Sequence, residues 1–196
     1  MSPDPSPTPP SDPPGADGDP APSGTVVRRF GPQPSPKNQN EPGHALLAAG
    51  RAWPGLFAFS SAEQALERPR LSVWLSGLTT SAQAWRLVGA TPGTRILVRL
   101  RVDTIRTVLV TGEGDAPATP PLDVVWERAT AADPTDSLGR VPETRDGWQG
   151  HCGIDGLYRG TKPQQRKLRS LLADTAQPGD LVILTDEQIV AFQASA

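Results

Sequence analysis

The sequence predicts an α+β fold: one domain with a mainly antiparallel sheet and short helices, behind a disordered Pro-rich tail. Three observations predict it. Strand-like and helix-like runs are mixed along the chain, and the connections suit hairpins more often than parallel crossovers. Arg95 to Asp103 alternates with period two, Ile96, Val98, Leu100 and Val102 on one side and mostly charged residues on the other. From Thr161 the spacing changes to that of an amphipathic helix.

The tail comes first. The chain has 196 residues and 23 prolines, more than half of them at or before Pro42. Residues 1–24 are almost entirely Pro, Ser, Asp, Gly and Ala, which bury too little surface to offset the entropy of ordering. The domain is expected over 25–196, long enough to bury a core of its own. A net charge of −2 gives no field that would draw in nucleic acid or acidic lipid. The single cysteine, Cys152, allows no internal disulfide and suits a reducing compartment. With only two histidines beside it, a zinc cage of the usual kinds is disfavoured. The start lacks a basic and apolar leader, and no run is long enough for a membrane helix. A soluble, cytoplasmic protein is the expectation, although export by a specialised system would leave no such signal.

Thr25 to Phe30 is the first strand, closed by Gly31-Pro32. After a Pro/Gly/Asn linker, His44 to Gly50 suits a short helix with Gly50 as its C-terminal cap. Leu56 to Phe59 reads as a short buried strand between turn residues. Ser60 or Ser61 then caps a helix running to about Glu67 or Arg68, with Glu63 and Gln64 each three residues on. Such a helix start, with two hydroxyls beside unbonded N–H groups, can also receive a phosphate.

Arg70 to Leu75 is strand or helix, ended by Gly77. Thr80 or Ser81 caps a helix through Val88, and Thr91 to Thr94 turns the chain into the Arg95–Asp103 strand. Thr104 to Thr111 continues extended, either directly or after a bend. Leu122 to Glu127 is another strand, followed by a long polar loop over 129–153. Thr161 and Gln164 make a capping box, Pro163 sits in the first turn, and Leu168, Leu171 and Leu172 form one stripe. Leu181 to Leu184 and Ile189 to Phe192 read as two strands joined at Thr185–Gln188, or as one bent strand.

No phosphate loop and no nucleophile elbow is present. His151 and Cys152 are adjacent, so on a strand they face opposite ways and make a poor base–thiol pair. The run from His151 to Gly156 lines a pocket or makes a tight turn. The arginines of the Arg95–Asp103 strand suit phosphate, or a solvated face. Five tryptophans are core residues or interface anchors.

Three patches, Val26–Phe30, Phe57–Ser61 and Asp186–Val190, together resemble the ADP-ribosyltransferase superfamily. An arginine-bearing strand, an aromatic strand ending in serines and a late acidic strand occur in that order. The resemblance implies a split antiparallel sheet around a cleft for NAD as substrate. It implies that Arg28 or Arg29 holds a phosphate or the nicotinamide ribose, with Phe59 and Ser61 beside the cofactor. Ser60 would brace the catalytic arrangement. A glutamate, Glu187 or else Glu127, would stabilise the cationic sugar formed as nicotinamide leaves. The sequence departs from the pattern at Gln188, where the acid is expected. The activity implied is transfer of ADP-ribose to a macromolecular target, as by a toxin or effector. The alternative is a non-enzymatic protein-interaction module tethered by the tail.

Overall fold

A computed structural model describes residues 15–34, 42–64, 68–88, 90, 93–112, 117–127 and 148–194. Six strands form one antiparallel sheet: β1 (Val26–Gly31), β2 (Leu71–Leu75), β3 (Ile96–Arg101), β4 (Asp123–Trp126), β5 (His151–Asp155) and β6 (Leu181–Ile183), in the order β4-β5-β2-β1-β3-β6. Six helices accompany them: α1 (Pro42–Ala48), α2 (Ser61–Gln64), α3 (Ser81–Leu87), α4 (Val102–Ile105), α5 (Lys162–Asp174) and α6 (Asp186–Ala194). The fold is therefore α+β.

Period-two alternation sorts the side chains onto two faces. On one face Val27, Val73, Ile96, Val98, Leu100, Val124, Cys152 and Ile154 pack under Leu168 and Leu172 of α5, with Leu56 and Phe57. On the other, Phe30, Trp74 and Leu97 meet Ala84 and Trp85 of α3, Trp148, and Ile189 of α6. We call these the α5 face and the α3/α6 face.

The sheet opens between β1 and β2. These strands pair only at Val27–Leu75 and Arg28–Trp74. Beyond that, the Ser72 N–H donates to Glu63 at 2.8 Å, and the Ser72 carbonyl accepts from Arg29 at 3.0 Å. A buried ion pair thus fills the place of ladder bonds.

Several expectations are corrected. Pro54–Phe57 is a 3-10 turn rather than a strand, and Trp53 before it is extended. An apolar run this short has no period of its own. Its docking is tertiary: a side chain on Gly31 would strike Leu56, with a Cβ only 2.8 Å from Leu56 Cδ2. Thr104–Thr111 does not continue β3, because the chain turns into α4 at Val102. His151–Asp155, expected in a loop or turn, is a central strand paired on both sides. Asp186–Ala194 is a helix, so the expected late acidic strand is absent there. Thr185 and Gln188 exchange backbone and side-chain bonds at 2.9 and 3.2 Å, a capping box like those of Thr80–Gln83 and Thr161–Gln164.

The ordered chain also begins before residue 25. Residues 18–21 lie along the β4 edge: Gly18 N donates to Trp126 O, Trp126 N to Asp19 O, and Ala21 N to Val124 O, at 2.8–2.9 Å. Ala21 is buried. The chain segments expected as tail at 1–14, as helix at 65–67 and as loop over 128–147 lie outside the described residues.

Candidate functional site

The two arginines of β1 are neighbours in sequence and point to opposite faces. Arg29, on the α5 face, is held by protein. Its Nη1 is 2.8 Å from Glu63 Oε1, and it donates to the carbonyls of Leu56, Ala58 and Ser72 at 3.0–3.3 Å. Glu63 in turn accepts from Ser60 N at 2.6 Å, and Glu63 N donates to Ser60 Oγ at 3.2 Å. Burial pushes the Glu63 carboxyl up, but the Arg29 guanidinium and the Ser60 and Ser72 N–H groups outweigh it, leaving the group below its ordinary value. Ser60 is thus a helix cap, Arg29 its anchor, and both have structural work that explains them. Phe59 is half-buried against the same core. Ser61 opens α2, and its side chain lies outside the described residues.

Glu187 lies elsewhere. It is exposed in the first turn of α6, beside Asp186, which pairs with Arg95 at 2.5 Å. On a helix at the sheet's far edge it joins neither arginine of β1. Gln188, at the place where the resemblance expects an acid, is the capping residue of that helix.

The α3/α6 face holds what the sequence could not assemble. The register sets Arg99 beside Arg28, Arg28 beside Trp74, and Trp74 beside His151. Glu127 extends the row by one strand, its N–H donating to the His151 carbonyl at 3.3 Å. Glu127 Oε2 lies 3.6 Å from His151 Nε2. The His151 ring sits between two indoles, with centroids 4.5 Å from Trp74 and 4.6 Å from Trp148. The indoles meet edge-on at 5.5 Å and 76°. Arg28 is 3% exposed and donates through Nη1 to the carbonyls of Ser76 and Thr79.

One feature of this row points to a ligand. The indole N–H groups of Trp74 and Trp148 are buried and have no acceptor among the described residues. Leaving such a donor unmade costs about 1–3 kcal/mol, so each asks for a reason. Trp53, on the α5 face, shares this lack, so the weight lies in two such indoles packed on one imidazole that has a carboxylate beside it. The strand is also closely covered at one point, where only a glycine fits. Gly153 has no side chain, and a Cβ there would lie 3.0 Å from Glu127 Oε2 and 2.6 Å from Arg70 Cβ.

No family model, no curated protein and no solved structure matches this chain. The site must therefore be read from its own chemistry. A carboxylate against an imidazole can orient it and accept its charge. Indoles can stack on a flat ring and donate to a carbonyl or phosphate oxygen. The Arg28–Arg99 end favours an anion.

Cys152 is on the opposite face from His151, fully buried. Burial, and then the negative charge of Glu127, push its thiol well above the ordinary range. It is not a nucleophile for this site. Among the described residues no group of three or more His, Cys, Asp or Glu is placed for a metal ion, and no helix is long and apolar enough to cross a membrane.

Arg28 and Glu127 stand out in the sequence as site candidates, whereas Trp74 and His151 do not stand out as their companions. The signal available was weak: polar residues and tryptophans at the ends of strand-like runs. Their convergence depends on pairing between segments far apart in the chain.

Proposed function

We propose that the protein transfers ADP-ribose from NAD to a macromolecular target, using the Arg28–Trp74–His151–Glu127 row, with Glu127 in place of Glu187. The observation that carries the reading is the arrangement of that row. An arginine end and a carboxylate end lie on one face, about three strand spacings or ~14 Å apart, with aromatic rings between them.

In this reaction the bond from the ribose C1′ to the nicotinamide nitrogen breaks. Its electron pair goes to the ring and neutralises the pyridinium. The sugar becomes cationic until a nucleophile of the target attacks C1′. Glu127 stabilises that cation and His151 takes the nucleophile's proton. Trp74 and Trp148 hold the nicotinamide, and Arg28 with Arg99 takes the phosphate charge.

Calorimetry with NAD and an assay for nicotinamide release in cell lysate test this reading. Binding at micromolar to submillimolar Kd is expected, with release lost in Glu127→Gln. Absence of binding at ~1 mM NAD, together with no nicotinamide release, overturns it.

A second reading has its own observation. Arg28 and Trp74 are 3% and 2% exposed, as they would be in a sealed structural network. On that reading the protein is a non-enzymatic interaction module whose N-terminal segment serves as a tether. The two separate on Glu127→Gln. Loss of stability without any NAD-dependent signal in the parent protein favours the module.

A further inference from the structure

Arg70 immediately precedes β2 and shares the α3/α6 face with Ser72 and Trp74 by alternation. Its stem lies over Gly153, which also lies beneath Glu127: a Cβ on that glycine would be 3.0 Å from Arg70 Cδ and 3.0 Å from Glu127 Oε2. The arginine therefore stands at the Glu127 end of the row, with its side chain 14% exposed. Its Nη1 is 3.2 Å from Asp17 Oδ1, while its buried Nε has no hydrogen-bond partner among the described residues. The guanidinium fork is thus engaged at one corner only, where phosphate commonly takes two.

Asp17 is delivered by a turn. Asp19 N donates to Ala16 O at 3.0 Å, and Ala16 N donates to Asp19 Oδ2 at 2.8 Å. Gly18, with φ of 87°, supplies the positive angle that a type II turn needs at its third position. The bonds of Gly18, Asp19 and Ala21 to β4 hold this turn on the sheet. Asp17 itself is 55% exposed. A pair of this kind is weak, because water and salt screen the outer partner.

We propose that Arg70 is an anion subsite of this face for a phosphate-bearing ligand, and that the Asp17 carboxylate occupies it as an internal stand-in. The N-terminal turn then competes with the ligand for one guanidinium. The weakness of the pair makes the competition modest: a doubly charged phosphate on the Nη1–Nη2 edge displaces a single half-exposed carboxylate. The phosphate approaches from the side that Asp17 now covers. This inference rests on the row being a ligand site, but it specifies a different group of atoms.

The test uses the full chain as wild type, Asp17→Asn, Arg70→Gln, Arg70→Lys and the Asp17→Asn/Arg70→Gln double variant. Each is titrated by calorimetry with inorganic pyrophosphate and with ADP-ribose. Asp17→Asn is expected to bind both about threefold to fivefold tighter. Arg70→Gln should bind about tenfold weaker, Arg70→Lys should fall between, and Asp17→Asn should add nothing in the Arg70→Gln background. Unchanged affinity in Asp17→Asn, or an equal gain with and without Arg70, overturns the proposal. Should Arg70→Gln fail to fold, Arg70→Lys decides, since it keeps the charge and loses the fork: equal affinity in Arg70→Lys counts against the subsite. Arg70-dependent pyrophosphate binding without nicotinamide release removes the transferase reading and leaves the subsite. Nicotinamide release and ADP-ribose affinity indifferent to Arg70 do the reverse.

Discussion

Arg28 and Arg29 adjoin in sequence, and the faces they occupy differ in what their polar groups do. On the α5 face, Arg29 and Glu63 satisfy each other and three carbonyls, fastening the Pro54–Gln64 segment to the opened edge of β2. On the α3/α6 face, polar and aromatic groups are brought together while two indole donors have no acceptor among the described residues. The first arrangement is complete within the protein. The second leaves hydrogen-bonding capacity unused among the described residues. A buried charged pair alone is therefore a poor marker of function, and unspent hydrogen-bonding capacity beside a carboxylate is a better one.

The largest effect should come from breaking the complete arrangement. Arg29→Met leaves a buried carboxylate unpaired and should cost about 3–5 kcal/mol in urea unfolding. Glu63→Gln should cost somewhat less, because the amide still accepts from Ser60 and Ser72. The pH dependence has a definite sign. The folded Glu63 binds its proton more weakly than the unfolded one, so its stabilisation is full above the ordinary value of about 4.5 and fades as pH falls through the depressed folded value. Acid titrations of wild type and Glu63→Gln should converge at low pH. A gap that widens on acidification would reverse the assignment.

Next in size, Glu127→Gln should lower nicotinamide release by about 100- to 1,000-fold, roughly 2.7–4 kcal/mol of transition-state stabilisation. Ser60→Ala should lower it little, since Ser60 caps α2 on the other face. An equal loss in both variants would return Ser60 to the active site. Smaller again, Thr161→Ala removes the hydroxyl half of the α5 cap and should cost about 1 kcal/mol by chemical denaturation. The smallest expected signal is from Cys152. Its buried, high-pKa thiol should react with a thiol reagent only as fast as the protein opens. Rapid labelling of the native protein would contradict that placement.

Local signals carried far where they concerned a single element. Thr161, Pro163 and Gln164 announce α5, and its leucines give the buried stripe. The alternation at Ile96–Arg101 gives β3 and both of its faces. Ser60 and Glu63 do form a capping box. Thr185 and Gln188 carried the same signal for α6, but Ile189, Val190 and Phe192 outweighed it with strand propensity. Leu56–Phe59 misled because four apolar residues fit a strand and a 3-10 turn alike. His151–Asp155 was missed because its polar residues and glycine imitate a turn, whereas a central strand buries them between β2 and β4.

By itself the sequence determined an α+β chain, with β1, β3, β4 and α5 near their observed places and Arg28 and Glu127 among the residues worth weighing. The tertiary structure alone decided that Arg29 belongs to Glu63, that Glu187 stands apart on a helix, and that Trp74 and His151 join Arg28 to Glu127. The reason is geometric. Caps and alternation are set within a few residues and leave a local imprint. A row across four strands exists only once the register between distant segments is fixed, and a shift of one residue would turn each side chain to the opposite face.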